Sequence, residues 1–560
     1  MMRNFIRFAA LAGLVGLGAC KNELVVQNAT QPDKGRVLAS PKDVESTMAS
    51  YYLRWHTAMY GALSNQWGMM NVQSFEDYSS LSNNCMGQRV GIPRAPNDNS
   101  IGNGCGAEQL RVYQIENEVQ RVASTLLAQA TSTGFTLGSQ AQDLRLQAFG
   151  QFLRGVSLGY LALVYDSSAI ITPETGIEDI GDLKSYQDVM AASLDALKKA
   201  EDLAATPATG GGGFPLPASW IPSSTNMTAA EFIKLCHTYA ARFRADVART
   251  PAERAAVDWN AVIADAQAGI TADHDNITNT TSGPFDVWLD QFYAYSTWHQ
   301  MTPFVIGMAD TSGSYAAWIA QPLAARGSDG TFHMITPDLR FPQGATRADQ
   351  QADFALTQCT AASTPCKRYF VNRPAGGDAT GGNTWGASEY DHARFYSWDK
   401  SGDGSARNGK LVFFTKAELD MLQAEGDIRT GKFAEAAALI NKTRTKNGLP
   451  AITAFDATSP VPGGDRGCVP KVPVGPNFNT LACGNMMEAM KYEKRMEEAY
   501  THFGAWFLDE RGWGDLPEGT GTEWAVPYQD LLARGRTGTA IYSLGGGLNP
   551  ASAAKGTYGW

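Results

Sequence analysis

The 560-residue chain carries 46 basic and 56 acidic side chains, for a formal charge of −10. With 44% apolar and 18% charged residues, and only 57 Gly and 26 Pro, it is neither collagen-like nor low in complexity, and it can bury a large core. The acidic balance and the lack of Lys/Arg clusters argue against nucleic acid as a partner, and seven His with no paired spacing leave little for a metal enzyme.

Residues 1–19 predict an export signal. Arg3 and Arg7 form a basic start, and the apolar run Phe8 to Leu17 is too short to span a bilayer as a mature helix. Leu17-Gly18-Ala19-Cys20 fits a bacterial lipobox, with Cys20 taking a diacylglycerol on its sulfur. Two or more acyl chains give a stable anchor where one does not. The competing reading is an ordinary secretory signal cleaved near Ala19, with Cys20 an incidental thiol.

The next element is a helix announced by Ser40-Pro41-Lys42-Asp43, with Pro at its first position. Val44, Met48, Tyr51, Trp55 and Met59 follow at helical steps. Leu144 to Tyr165 reads as one continuous helix, paired with 184–204. Residues 228–249 pair with 258–272, introduced by the capping-box patterns Thr228-Ala229-Ala230-Glu231 and Thr250-Pro251-Ala252-Glu253. Thr415-Lys416-Ala417-Glu418 opens the clearest unit, two Ala-rich helices broken at Thr430-Gly431 and ended by Asn447-Gly448. A helix pair of about 34 residues has the tetratricopeptide period. No segment of comparable length alternates with period two. The predicted fold is all-α: tetratricopeptide-like helical hairpins form a scaffold over about 40–60, 141–274 and 411–516, with loop-rich excursions over about 60–140 and 275–410. Those excursions are rich in Gly, Asn, Ser, Thr and aromatics, and loops this long in a compact protein are commonly functional.

Cysteine spacing suggests Cys85–Cys105, Cys359–Cys366 and Cys468–Cys483 as local bridges, with Cys236 a buried thiol on a helix. Three catalytic or ion-binding patterns are weak. Gly155-Val156-Ser157-Leu158-Gly159 matches a hydrolase elbow, but lies within a helix where a strand and sharp turn are required. Gly404 to Lys410 lacks the hydroxyl residue of a P-loop. Asp399-Lys400-Ser401-Gly402-Asp403-Gly404 resembles the start of a calcium loop, with Asp399 and Asp403 as candidate ligands. Its twelfth position is Lys410 instead of Glu, so a solvated turn competes with that reading and no other metal or cofactor is expected. No carboxylate pair is marked for glycoside chemistry.

Glu418-Leu419-Asp420-Met421-Leu422-Gln423-Ala424-Glu425-Gly426, continued by Phe433-Ala434-Glu435-Ala436-Ala437, Ile440-Asn441, Arg444 and Gly448-Leu449-Pro450, resembles a signature of the SusD/RagB family of outer-membrane nutrient-uptake lipoproteins. Lys494 to Ala499 with Phe503 to Gly514 is similar to a second signature. The departures are Lys494-Arg495 where the family has Glu-Arg, and Phe503-Gly504 where it has Glu-Gly. Arg495, Asp509 and Arg511 are expected to hold helices by ion pairs.

The resemblance covers nearly the whole chain and implies a single unit over 20–560 after a signal peptide over 1–19. It further implies a non-catalytic, lipid-anchored, surface-exposed outer-membrane protein that binds oligosaccharides, or peptides, and delivers them to a SusC-like TonB-dependent transporter barrel. A helical glycoside hydrolase or lyase, and a tetratricopeptide-like interaction scaffold without a small ligand, are the alternatives. Sugars stack apolar C–H faces on aromatic rings. Residues 285–318 are dense in aromatics, and a second group lies at 67–78 among amides. Trp67, Trp288, Tyr295 and Trp298 are the expected stacking residues, with Asn71 and Gln73 as hydrogen-bonding neighbours.

Overall fold

A computed structural model describes residues 38–60 except 39, 66–79, 89–104 except 96, 106–278, 299–326, 332–374 except 362, 388–399, 407–536 except 503, and 552–560. The scaffold is helical, and among the described residues strands occur only as two-stranded pairs.

Helix α1 (Pro41–Tyr60) starts where Ser40 Oγ accepts the Asp43 N–H at 3.2 Å. It buries Val44, Met48, Tyr52, Trp55 and Met59, so Tyr52, not Tyr51, faces inward. Helix α2 (Gln66–Gln73) and strand β1 (Tyr78–Ser79) follow. Residues 106–130, assigned by sequence to a loop-rich excursion, form the 25-residue helix α3 (Gly106–Ala130). The apolar period there is masked because three residues on its buried face are polar and bonded. Glu116 accepts from Ser157 Oγ at 2.9 Å, Gln120 donates to the Ala169 carbonyl at 3.0 Å, and Ser124 donates to the Ile171 carbonyl at 2.9 Å.

Helix α4 (Gln140–Val164) is central and buried along most of its length. Its glycines are contact points: a Cβ on Gly155 would sit 2.7 Å from Leu197, and one on Gly159 would sit 2.0 Å from the Phe243 ring. The Gly-x-Ser-x-Gly match therefore records close helix packing. Strands β2 (Ser167–Ala169) and β3 (Leu183–Ser185) pair antiparallel before α5 (Tyr186–Ala205). Helix α6 (Ala229–Asp246) has the complete Thr228/Glu231 capping box. Short α7 (Pro251–Ala256) and α8 (Trp259–Ala268) complete this half. Cys236 is buried on α6, which pushes its thiol pKa well up.

Strand β4 (His274–Thr278) pairs with β8 (Gly409–Phe414), enclosing the second excursion, which contains β5 (His299–Gln300), β6 (Phe370–Asn372) and β7 (Tyr390–His392). The hairpin α9 (Lys416–Arg429) and α10 (Phe433–Lys446) turns at Gly431 and ends at Gly448, both with positive φ. Strands β9 (Lys471–Val474) and β10 (Thr480–Cys483) precede α11 (Met486–Glu498), α12 (Ala505–Trp513) and α13 (Tyr528–Ala533). Cys359 is bonded to Cys366 and Cys468 to Cys483, while the Cys85 and Cys105 pairing lies outside the described residues.

The second signature is a buried charge network. Arg254 on α7 meets Glu425, Asp509 and Asp246 at 2.7, 2.9 and 3.1 Å. Lys494 holds Asp509 at 2.5 Å and Glu498 at 3.3 Å, and Arg495 holds Glu510 at 2.8 Å and Asp515 at 2.5 Å. Arg511 departs from the expected ion pair. It donates to the carbonyls of Thr522 and Asp246 at 2.9 and 2.7 Å, and burial lowers its pKa to about 9.

Candidate functional site

After α2 the chain turns at Phe75, whose φ of 64° is left-handed, and runs through Glu76 and Asp77 into β1. There the two excursions join: Tyr78 pairs with Gln300, and Ser79 with His299, the residue after Trp298. The neighbouring Met301 N–H donates to the Tyr390 carbonyl at 2.9 Å, Ser388 Oγ donates to the Met301 carbonyl at 2.7 Å, and Gln300 Nε2 donates to the Ser388 carbonyl. Strand β7 in turn pairs with β6. Ser79, His299 and Ser388 border the stretches 80–88, 279–298 and 375–387, so one end of each of three chain segments is fixed at one small patch of strands.

Beneath this patch lies a rigid polar base. Tyr500, with φ of 59°, donates its N–H to Glu76 Oε1 at 2.8 Å and its hydroxyl to the Glu76 carbonyl at 2.6 Å. Its ring stacks on His392 with centroids 3.5 Å apart. Burial holds the Glu76 carboxyl well above the usual range, opposed by the Tyr500 N–H, and burial also pushes up the Tyr500 hydroxyl. Arg94 donates to the carbonyls of Val72 and Gly91 at 3.1 and 3.0 Å, lies 4.9 Å over the Phe75 ring, and is lowered to about 9 by burial. Arg373 and Asp391 form a fully buried pair. These groups are closed to solvent, so their chemistry is positional: they fix where the bordering segments start.

Asn71 and Gln73 belong to this base, which corrects the expectation that they face a ligand. Asn71 is 1% exposed and its Oδ1 accepts the Gly504 N–H at 2.9 Å; Gln73 is fully buried, with Nε2 3.4 Å from Asn97 Oδ1. Their place among aromatics suggested a surface loop, whereas α2 packs Asn71 against the start of α12 and Gln73 against Asn97. Trp288, Tyr295 and Trp298, and the side chain of Trp67, lie outside the described residues. Three aromatics of the same run, Phe304, Tyr315 and Trp318, are buried, and Phe304 stacks on Phe75 at 4.1 Å.

At the edge of the β6–β7 pair, a largely buried polar group escaped the sequence reading. His333 Nδ1 lies 2.9 Å from Glu389, Asn372 Nδ2 donates to Glu389 at 3.1 Å, and Arg347 lies 3.6 Å away. The Glu389 hydrogen bond raises the His333 pKa; the Glu389 carboxyl is raised by burial, but hydrogen bonds from His333 and Asn372 hold it below its usual value. No local pattern links positions 333, 347, 372 and 389.

An open polar groove of about 340 Å³ lies apart from this patch, between the start of α6 and the β4–β8 pair. Its lining includes Glu231, Lys234, Asp273, Asp275 and Lys410 but, among the described residues, no Trp, Tyr or Phe. It offers hydrogen bonds without a stacking ring. Asp399 is buried at the end of a short helix, and Asp403 lies outside the described residues. Among the described residues no three His, Cys, Asp or Glu side chains are grouped to hold a metal ion, and none of the described helices is long and apolar enough to cross a membrane.

No protein-family model matches the sequence, and no curated protein matches it. Solved structures do resemble it. A SusD homolog from Bacteroides thetaiotaomicron is 12% identical, with a TM-score of 0.54 over 90% of this chain and 99% of that one. A SusD homolog from Parabacteroides distasonis is 13% identical, with a TM-score of 0.51 over 83% and 84%. A SusD-like carbohydrate-binding protein from Bacteroides fragilis is 13% identical, with a TM-score of 0.50 over 85% and 87%. With its helical hairpins, its short strand pairs and this correspondence along most of its length, the chain has the SusD-like fold.

Proposed function

We propose that the protein is a non-catalytic, lipid-anchored outer-membrane receptor that binds oligosaccharides and delivers them to a SusC-like TonB-dependent transporter. The observation that carries the reading is the β1–β5 pairing, which brings the residues next to two aromatic-rich stretches together on a rigid base within a SusD-like fold. The carbohydrate-binding character of the Bacteroides fragilis neighbour supports the choice of ligand. Trp67, Trp288, Tyr295 and Trp298 form the stacking surface in this proposal, and Cys20 carries the lipid.

A receptor that must also release its cargo works best at millimolar to micromolar affinity, roughly 4–8 kcal/mol. Two stacked rings at ~1 kcal/mol each, by analogy with exposed cation–π contacts, make the Trp67→Ala/Trp298→Ala double variant bind ~10–30-fold more weakly. Calorimetry with a panel of oligosaccharides of differing linkage and charge tests this: native affinity in the folded double variant sinks the placement, and accumulation of shortened sugar during the titration sinks the non-catalytic reading. For the anchor, Cys20→Ser should release the protein from the membrane fraction, and unchanged retention counts against lipidation there.

A further inference from the structure

We infer that His333 is a proton-operated clasp: doubly protonated, it ties the residue entering β7 to the segment that leads into the short helix Arg347–Asp353, and on losing a proton it lets that segment go. Its two ring nitrogens face acceptors from different parts of the chain. Nδ1 lies 2.9 Å from the Glu389 carboxylate, and Nε2 lies 3.2 Å from the Ala345 carbonyl. Neither group has a proton to give back. The carbonyl has none, and Glu389 stays a carboxylate because it also accepts Asn372 Nδ2 at 3.1 Å and lies 3.6 Å from Arg347. Neutral imidazole carries one N–H and one lone pair, so it satisfies one of the two acceptors and not the other. Only the imidazolium donates to both.

The clasp bears on the border of the 375–387 stretch. Thr346, next to Ala345, caps the short helix by accepting the Asp349 N–H at 3.1 Å, and Arg347 donates to the carbonyls of Arg373 and Pro374 at 2.7 and 3.1 Å. The Arg373 N–H in turn donates to the Glu389 carbonyl at 2.7 Å. Because a charged acceptor binds the stronger, the neutral ring keeps its proton on Nδ1 for Glu389 and turns a bare Nε2 toward the Ala345 carbonyl, which then parts from it. The charged groups facing this site, among the described residues, are Glu389, Arg347 and Asp310. The Glu389 hydrogen bond, against burial and with the Glu389 and Asp310 charges, raises the His333 pKa above 6.5. The closed clasp is therefore complete below pH 6.5 and is lost as pH rises through the raised value. With 25% of the side chain exposed, the ring exchanges its proton with water.

Carbon-13 NMR of the full chain labelled in histidine, with the His333 signal assigned by its loss in His333→Gln, should show His333 titrating above 6.5 and moving down in Glu389→Gln. Amide hydrogen exchange, corrected for its intrinsic pH dependence, reads the segment itself. Protection over 343–353 should fall about fivefold more between pH 5 and pH 9 in the parent than in His333→Gln, through loss of one hydrogen bond from a charged donor; comparison with the variant cancels changes in global stability. Should His333→Gln misfold, the loss of protection in the parent must still track one histidine titration, and both must move to lower pH together in Glu389→Gln. A His333 titration at or below 6.5, protection over 343–353 equal at both pH values, or an equal fall in parent and His333→Gln each overturns the proposal.

Discussion

Replacing Glu510 by Gln isolates one buried proton. Glu510 is 1% exposed; Oε1 accepts Arg495 Nε at 2.8 Å, Oε2 has no hydrogen-bond partner among the described residues, and Asp515 shares the same arginine. Burial raises its pKa from 4.5 to about 8, against the pull of Arg495 and with the help of Asp515. Between those values the folded protein keeps a proton that the unfolded chain has released. The stability this gives is complete below pH 4.5 and is lost as pH rises through 8. At ~1.4 kcal/mol per pH unit, Glu510 withdraws roughly 3–5 kcal/mol across that window. Asp509, raised to about 6 by burial, acts in the same direction but finishes earlier, whereas Glu425, held at about 2 by Arg254 against burial, loses its contribution only in acid. Gln keeps the acceptor for Arg495 and removes the titration. Guanidinium unfolding followed by tryptophan fluorescence should find Glu510→Gln within ~1 kcal/mol of the parent at pH 5 and more stable by roughly 2–4 kcal/mol at pH 9. An equal difference at both pH values would refute the assignment of the proton to Glu510.

Arg254→Met strands three buried carboxylates and should cost ~3–5 kcal/mol in chemical denaturation at pH 7; a loss under ~1 kcal/mol would mean that Lys494 on Asp509, and Arg429, which lies 2.8 Å from Glu425, suffice. Gly159→Ala should cost ~1–3 kcal/mol by overpacking, read as a lower melting temperature, because its methyl would lie 2.0 Å from the Phe243 ring. Asn71→Ala leaves the Gly504 N–H unpaired and should cost ~1–2 kcal/mol while leaving oligosaccharide affinity unchanged in the folded protein; weakened binding with unchanged stability would return Asn71 to the ligand surface.

The sequence shows its helices where one face is apolar. Thr228, Thr250 and Thr415 each cap the helix that their pattern announced, and the α9–α10 hairpin turns at Gly431 and ends at Gly448. Even so, Glu418 does not return to its cap: its carboxylate pairs with Arg242, 176 positions away, at 2.6 Å. Helix α3 was illegible because Glu116, Gln120 and Ser124 stand on its buried face, and only their distant partners make them interior residues. Asn71 and Gln73 were misread for the converse reason. Amides beside aromatics describe a sugar site and a wet core equally well, and only packing against residues 97 and 504 separates the two. The β1–β5 junction was invisible because each strand has two residues, too few for a period.

Hydrophobic burial is non-directional and cannot by itself set where long excursions attach. The buried arginines supply that direction. Arg340, in the second excursion, is fully enclosed and reaches Glu493 and Glu497 on α11 at 3.0 and 3.1 Å, while Tyr369 donates to the same Glu497 at 3.0 Å. Arg249, at the end of the α6 segment, pairs with Glu523 and donates to the carbonyls of Ala162 and Tyr165 at 2.9 and 2.7 Å. Arg340 keeps Asp338, 2.7 Å away in its own segment, so a wrong docking strands its receivers Glu493 and Glu497 and separates Arg249 from Glu523, at a cost of several kcal/mol. Among the residues that most resemble a family signature, Glu497 therefore receives the second excursion through Arg340 and Tyr369, whereas Asp509 and Glu510 tie α12 to α7 and α11 through Arg254, Lys494 and Arg495.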